Sequence, residues 1–320
     1  MRDAFVRTIA ELAVHDPRII LMTGDLGFMA LEPFAERFAE RFFNVGVAEQ
    51  NMVGMATGLA EAGFIPFIYS INPFAVLRPY EFIRNGPIYH QLPVRIVGMG
   101  GGLEYSHQGI THYGFEDIGM MRIQPGLITI APADGAQAST AIRATFNLPG
   151  PVFYRLGKND KIVVPGLEGR FELGRLQVIH EGHDLLFISM GAIASEVAAA
   201  SALLYEQGIT CTSAVVASMN PPPVDDLVNL LKRFHIVITV EAHYVTGGIG
   251  SLISEVIAEH GLGCRVIRCG IRKRPSGITG SQLYLQDLHG LSAKALAETG
   301  LHSLREGEHR LEVEIWRTKR

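Results

Sequence analysis

Residues 43–60 read FNVGVAEQNMVGMATGLA, a short apolar strand that turns directly into a helix. The turn predicts that one carboxylate, Glu49, lies in the first helical turn, where the positive end of the helix dipole favours negative charge. The flanking residues are mostly small or apolar, so the helix carries little side-chain bulk. We therefore expect that another backbone or a ligand can approach this helix closely, and that Glu49 is largely removed from water.

A desolvated carboxyl group keeps its proton or shares it with a basic partner, because burial disfavours the charged form. A ring nitrogen of a bound cofactor is one such partner. Taken alone, however, a glutamate at a helix start most often only caps its helix. Glu49 by itself therefore does not establish catalysis.

Apolar strands alternate with helices along the first half of the chain, at 19–23, 64–69, 94–99, 127–131 and 152–156. Strands that are apolar on both faces and alternate with helices predict an α/β fold with a parallel sheet covered on both sides. Such sheets bind ligands at the carboxyl ends of their strands. Several polar or small residues directly follow predicted strands and are expected to share one cleft: Asp25, Glu49, Ser70 and Gly100.

A second α/β pattern follows a polar segment that is rich in glycine and weak in periodicity. We therefore expect two domains, at 1–158 and 176–305. Residues 159–175 are predicted to be the linker between them. The highly charged residues 306–320 are predicted to form a tail that is solvated or packed on a neighbour.

The composition is that of an ordinary globular chain, with 320 residues, 48% hydrophobic residues and a formal charge of -4. Lys and Arg are scattered and outnumbered by acids, which argues against nucleic acid as a partner. The three cysteines show no C-x-x-C pairing, so neither a disulfide framework nor a zinc site is indicated. We find no signal peptide and no apolar run long enough to cross a membrane, and expect a cytoplasmic protein.

The segment FNVGVAEQ resembles the glutamate helix of transketolases and other thiamine-diphosphate enzymes, whose pattern is roughly F-[DN]-V-G-[IV]-A-E-Q. The likeness covers nearly the whole chain and corresponds to only the C-terminal half of a transketolase. It implies that 1–158 form a pyrimidine-binding domain and 176–305 a transketolase C-terminal domain. It also implies that Glu49 hydrogen-bonds the aminopyrimidine ring of thiamine diphosphate and so activates a cofactor that acts as an electron sink.

The resemblance also implies further contacts with the cofactor. Phe74 falls where the family stacks an aromatic ring on the pyrimidine. Asp25 is expected to line the same pocket, together with Gly24 and Ile71. The glycines of residues 247–250 resemble a phosphate loop, but the family uses that region for packing, and we expect packing.

Substrate contacts are implied at both ends of the first domain. THYGFED, residues 111–117, resembles the T-H and E-D pattern of the family, whose histidine contacts the substrate, so His112 is expected to do so and to take part in catalysis. Arg155 resembles the arginine that reaches the sugar phosphate. Arg2 matches a second substrate-facing arginine.

The chain departs from the family pattern where the sugar hydroxyls are read. Ser106-His107-Gln108-Gly109 replaces the usual G-E-D-G, so Gln108 stands in place of an aspartate. Glutamine donates as well as accepts hydrogen bonds, which changes the hydroxyl stereochemistry that the site tolerates. We therefore expect Gln108 and His107 to tune the substrate, and a non-phosphorylated or modified sugar is one hypothesis.

The cofactor's second anchor is missing from the sequence. Thiamine-diphosphate enzymes hold Mg²⁺ and the diphosphate through a G-D-G…N motif, because phosphate charge needs a hard cation with oxygen ligands. This chain contains no Gly-Asp-Gly tripeptide. We infer that a separate chain carries that motif, that two copies of each chain form a heterotetramer, and that activity requires the partner.

The sequence thus predicts the β-type subunit of a split transketolase, which moves a two-carbon ketol unit from a ketose or its phosphate to an aldose or its phosphate. Three alternatives stay open. The chain resembles, less closely, the β subunit of a 2-oxo-acid dehydrogenase and the 1-deoxyxylulose-5-phosphate synthases. It can also be a non-catalytic subunit that stabilises another enzyme.

Overall fold

The computed structural model describes residues 1–273 and 277–318 and contains two α/β units. The first unit comprises α1 (Arg2–His15), β1 (Ile19–Thr23), α2 (Glu32–Arg37), β2 (Phe42–Asn44), α3 (Glu49–Glu61), β3 (Ile65–Ile71), α4 (Asn72–Val76), α5 (Tyr80–Ile83), β4 (Arg95–Met99), α6 (Asp117–Arg122), β5 (Ile128–Ile130), α7 (Gly135–Thr145) and β6 (Val152–Leu156).

The second unit has its own sheet and a long final helix. Its elements are β7 (Gln177–His180), β8 (Leu185–Met190), α8 (Ala194–Tyr205), β9 (Cys211–Val215), β10 (Ser218–Asn220), α9 (Val224–Leu231), β11 (Ile236–Tyr244), α10 (Ile249–Glu259), β12 (Arg265–Ile271), α11 (Gln282–Leu288) and α12 (Ala293–Thr318). The strand order is β12-β11-β8-β9-β7, and β7 is antiparallel to its neighbour.

The first sheet confirms the predicted α/β fold. Its order is β10-β5-β6-β4-β3-β1-β2, and all its strands are parallel except β10. Every residue of β1, β3, β4 and β6 is buried, as expected for a sheet covered on both faces. The carboxyl ends of β2, β1, β3, β4 and β6 therefore meet along one edge.

The two units share strands and core, which the sequence did not indicate. β10 comes from the second unit but pairs with β5 of the first sheet. Side chains of both units, among them Met52, Ile188 and Leu252, belong to one buried apolar cluster. The second unit is thus packed firmly against the first.

Helix α5 is followed by a π-helical turn over Arg84–Ile88, where Pro87 has no N–H to donate. The predicted tail, 306–320, continues α12 as far as Thr318, and its last two residues lie outside the described part of the chain. Over the residues that the structure describes, no helix combines the length and apolarity needed to span a bilayer.

Candidate active site

Glu49 lies at the turn from β2 into α3. Gly46 allows this turn because it adopts φ +74, a conformation that other residues rarely take. Glu49 is then the first residue of α3, and the Ala48 before it makes no side-chain cap. The glutamate is 0% exposed although it sits at a helix start.

The Glu49 carboxylate is held by two side chains at the sheet edge. Arg78 Nη1 donates to Glu49 Oε2 at 2.6 Å, and the Ser70 hydroxyl donates to Oε1 at 3.3 Å. The Gly24 backbone lies against the same group, because a Cβ at this glycine would come within 3.6 Å of Glu49 Cδ. The acid is therefore buried but paired.

A row of rings and cations leads away from this ion pair. The Arg78 guanidinium carbon is 4.5 Å from the centre of the Phe74 ring, a cation–π contact. The Phe74 and His112 ring centroids are 5.1 Å apart, and those of His112 and Tyr105 are 6.2 Å apart. Lys158 Nζ lies 4.6 Å from the Tyr105 ring at the far end.

His112 is the titratable group in the middle of this row. Its Nδ1 lies 2.9 Å from the Thr111 hydroxyl, so Nε2 is the nitrogen left to face a ligand. Burial lowers the pKa of His112, because desolvation disfavours the imidazolium. The ring is therefore neutral near pH 7 and suited to hydrogen-bond an uncharged hydroxyl.

The far end of the row opens into a polar pocket lined by Arg2, Glu104 and Lys158, among others. Glu104 accepts a hydrogen bond from the Lys158 backbone N–H. Desolvation raises the pKa of Glu104 to about 7. Arg2 thus lines the same pocket as Lys158, at the end of the ring row.

The structure brings together most residues predicted to contact the cofactor. Gly24 and Phe74 are described above, and Ile71 is buried at the end of β3. Asp25 is exposed and exchanges two hydrogen bonds of 3.0 Å with Asn44, whose Oδ1 also accepts from Gly46 N–H. His107 and Gln108 are exposed in a short 3-10 turn over Ser106–Gln108, which directly follows Tyr105.

The Arg155 side chain is buried and lines a small cavity together with Glu104 and Gly191. It is 5% exposed, and its Nε donates to Asp117 Oδ2 at 2.6 Å. Its Nη2 donates to the carbonyl oxygens of Gly114 and Ala242 at 3.0 and 2.8 Å. The substrate contact predicted for this arginine stays a prediction, and the observed partners are all groups of the protein.

Sequence reasoning missed Arg78, the residue closest to the Glu49 carboxylate. It follows Phe74 by four positions and lies in the turn between α4 and α5. Its closeness to Phe74 along the chain was a usable signal once Phe74 was assigned to the site. The hydrogen bond from Ser70 to Glu49 was also not predicted. Ser70 lies near the carboxyl end of a strand, where functional side chains of a parallel sheet are expected.

Glu241 holds the glycine-rich turn of the second unit. Its carboxylate accepts backbone N–H bonds from Ile249 at 2.9 Å and Gly250 at 3.0 Å, at the start of α10. A Cβ at Gly248 would overlap the Glu241 Oε2 atom, so only glycine fits there. These glycines serve close packing, as predicted.

Two domain families match the chain. Residues 1–161 match the transketolase pyrimidine-binding domain, and residues 174–296 match the transketolase C-terminal domain. The chain belongs to the transketolase family.

Similar proteins agree with this assignment. A Methanocaldococcus jannaschii protein provisionally named a transketolase C-terminal section is 36% identical over 93% of this chain and 94% of its own. One of the subunits of an apulose-4-phosphate transketolase from Actinobacillus succinogenes is 32% identical over 85% and 87%. A solved split-gene transketolase, an inactive beta4 tetramer, superposes with a TM-score of 0.84 at 32% identity, over 95% of this chain and 97% of that one.

The transketolase family depends on thiamine diphosphate, and the residues at the sheet edge fit the pyrimidine end of that cofactor. Glu49 would offer a buried carboxylate to a ring nitrogen, and Ile71 and Phe74 are the apolar side chains that would meet the ring faces. The diphosphate end is different. Among residues 1–273 and 277–318 no group of three or more His, Cys, Asp or Glu side chains is placed to hold a metal ion.

Glu241 makes the stability of this chain depend on pH. Burial raises the pKa of Glu241 to about 7, whereas the unfolded chain has a value near 4.5. The native state therefore binds the extra proton between these values, and the free energy of unfolding falls as the pH rises through that window. The free energy of unfolding of the wild type should fall by an amount on the order of 1–3 kcal/mol between about pH 5 and pH 7, and Glu241→Gln should abolish this fall.

Urea unfolding of both proteins across this pH range measures the effect. Glu259→Gln is the matched control, because Glu259 is exposed at the other end of α10 and its loss should leave the wild-type slope intact. A Glu241→Gln protein that keeps the full wild-type slope would show that another group titrates.

Proposed function

We propose that this chain is the β-type subunit of a split transketolase, which transfers a two-carbon ketol unit from a ketose or ketose phosphate to an aldose or aldose phosphate. The observation that carries the proposal is the buried Glu49 carboxylate at the carboxyl edge of the parallel sheet, with Phe74 and His112 in line beside it. An acid, an apolar ring wall and a neutral imidazole are the groups that this chemistry needs from the chain.

Thiamine diphosphate supplies an electron sink when it is bound. Glu49 would hydrogen-bond a ring nitrogen of the bound cofactor, and its buried surroundings keep water from it. Phe74 and Ile71 orient the ring, with Gly24 and Asp25 at the pocket edge. His112 Nε2 orients a substrate hydroxyl, and Arg2 lies at the distal pocket, where an anionic end of the sugar can be received.

The diphosphate and Mg²⁺ are assigned to a partner subunit with a G-D-G…N motif. Exposed apolar side chains near the Glu49 helix support a partner on this face: Val47 is 70% exposed, Met55 40% and Phe82 45%. On the same face of α3, Gly54 and Gly58 leave open space above the backbone. Such a patch marks an interaction surface, and an α2β2 assembly in the cytoplasm is part of the proposal.

Glu49→Gln keeps the shape of the acid but removes its charge and its ability to exchange a proton. With the partner present, we expect ketol transfer to fall by about 100-fold or more for Glu49→Gln and for Glu49→Ala. A coupled assay of aldose-dependent ketose cleavage measures this rate.

The control is Glu61→Gln, because Glu61 lies exposed at the last turn of the same helix and should be silent. Full activity of both Glu49 variants would refute the catalytic assignment and favour a stabilising subunit. Decarboxylation of 2-oxo acids without ketol transfer would instead favour the dehydrogenase-type alternative.

Gln108 and His107 are proposed to select the sugar, with the partner closing the exposed 3-10 turn over the site. Gln108→Asp restores an acceptor-only side chain, so we expect the ratio of kcat/KM between ketoses that differ at one hydroxyl to shift by about tenfold or more. Steady-state assays on epimeric ketoses, free and phosphorylated, test this. An unchanged ratio would remove Gln108 from the specificity set.

A further inference from the structure

Glu104 places a partly buried carboxylate near the Arg155 guanidinium. The residue follows β4 and directly precedes Tyr105 of the ring row. It lines the small cavity at Arg155 and also the larger pocket at Arg2. Because the two spaces share Glu104 and Gln282, Glu104 lies where they meet.

We propose that Glu104 is a specificity-determining residue, whose carboxylate competes with the anionic end of a substrate for Arg155 and Lys158. While Glu104 is ionised, the pocket favours a sugar with an uncharged distal end. Once Glu104 has taken up a proton, the pocket accepts a phosphorylated sugar. That the ligand is a sugar rests on the proposed function, whereas the competition between Glu104 and a bound dianion does not.

Arg155 keeps one donor group free for a ligand. Its Nε and Nη2 atoms donate to groups of the protein, but Nη1 donates to no residue that the structure describes. A Cβ at Gly191, which lines the cavity, would lie 3.4 Å from Nη1. A Cβ at Gly101 would come within 2.6 Å of Arg155 Nε, so only glycine leaves room for the guanidinium there. Nη1 can therefore bind a group that enters the cavity.

The Glu104 carboxylate is held against the backbone that follows β6. Its Oε2 accepts the Lys158 N–H, and a Cβ at Gly157 would lie 2.9 Å from Oε1. The carboxylate therefore has a fixed place on the wall of the cavity. It cannot swing away from an anion that binds to Arg155.

The cavity itself fits a hydroxyl group. Its volume is about 20 Å³, which is enough for one group the size of a water molecule. Gln286 of α11 also lines it, is 5% exposed, and makes no side-chain hydrogen bond with the described part of the chain. An unpaired N–H, a carboxamide and a carboxylate suit a hydroxyl, because a hydroxyl both donates and accepts.

The charge balance around Glu104 differs between its two protonation states. Three ion pairs neutralise most of the charged groups at the two spaces: Arg155 with Asp117, Arg2 with Asp3, and the Met1 amino group with Asp160. Lys158 and Lys161 form no ion pair within the described residues. These two lysines leave one positive charge beside an ionised Glu104 and two beside a protonated one. The second state matches a phosphate group, which carries up to about two negative charges.

Burial makes this change of protonation accessible near neutral pH. Desolvation raises the pKa of Glu104 to about 7. A bound dianion raises it further, because a nearby like charge disfavours ionisation. Tyr105, the neighbouring titratable group, stays protonated because desolvation raises its pKa to about 12. Binding of a dianion above the pKa of Glu104 therefore takes up a proton, and the affinity falls as the pH rises.

Binding of inorganic sulfate to the chain in its own assembly tests the competition without any assay of activity. Sulfate stays a dianion at neutral and alkaline pH, so only the protein titrates. Above about pH 7, we expect the Kd of the wild type to rise about tenfold per pH unit and that of Glu104→Gln to stay nearly constant. At about pH 8, the variant should bind sulfate about tenfold more tightly than the wild type. Isothermal titration calorimetry measures both.

Glu196→Gln is the matched control. Glu196 is also partly buried, and its Oε2 also accepts a backbone N–H, that of Ala293 at 2.9 Å, but it lines neither space. This variant should keep the affinity and the pH slope of the wild type. Equal sulfate affinity of the wild type and Glu104→Gln at about pH 8, or the same slope in both, would overturn the proposal.

The wild type alone decides if Glu104→Gln fails to fold. Calorimetry in buffers of different ionisation enthalpy measures the protons that are taken up with the ligand. We expect about one proton per sulfate bound at about pH 8. Binding without proton uptake, or no detectable sulfate binding at any pH, would overturn the proposal.

Kinetics of the complete complex show whether the competition reaches the substrate. At about pH 8, Glu104→Gln should raise kcat/KM for a phosphorylated ketose about tenfold relative to its unphosphorylated counterpart. An unchanged ratio would overturn the role of Glu104 in substrate choice. If the wild-type complex transfers no ketol unit, the proposed function fails, while the sulfate measurement still decides whether Glu104 competes with a bound dianion.

Discussion

The structure depends on one constraint, a carboxylate that is buried at the start of a helix and must be paired. Burial of an isolated carboxylate is costly, and Glu49 avoids most of that cost through Arg78, Ser70 and the amino end of α3. Arg78 is tied in turn to Phe74, and Phe74 to His112. The acid, the ring wall and the imidazole of the candidate site are therefore linked by a continuous chain of contacts.

We propose that this arrangement is half of a site. The acid and the apolar ring walls are present, but the described residues contain no metal-ligand cluster and the sequence no Gly-Asp-Gly. In that proposal, the apolar patch around α3 is the surface that the second chain covers. The similar split-gene transketolase, solved as an inactive beta4 tetramer, supports the proposal that this chain needs its partner for activity.

Local pattern was enough to predict the parallel sheet and the position of Glu49, because strands buried on both faces and a glycine turn before a helix leave clear signals in sequence. Contacts between elements that are distant along the chain left no such signal in the sequence. The pairing of β10 with β5, the Arg78–Glu49 ion pair and the enclosure of Arg155 each join residues whose side chains meet only after folding. Arg155 shows this limit most clearly. The family motif predicts a contact with the substrate, whereas the hydrogen bonds of Arg155 in the structure go to Asp117, Gly114 and Ala242.

The most direct test is to tag this chain in its native cell, purify it gently, and measure which protein and how much thiamine diphosphate come with it. We expect a second chain of similar size that carries G-D-G…N, in equal amount, with the cofactor bound. The contradicting result is a preparation that contains only this chain and no cofactor, while another protein accounts for the ketol transfer measured in the same cell extract. That result would rule out the assignment of a split transketolase.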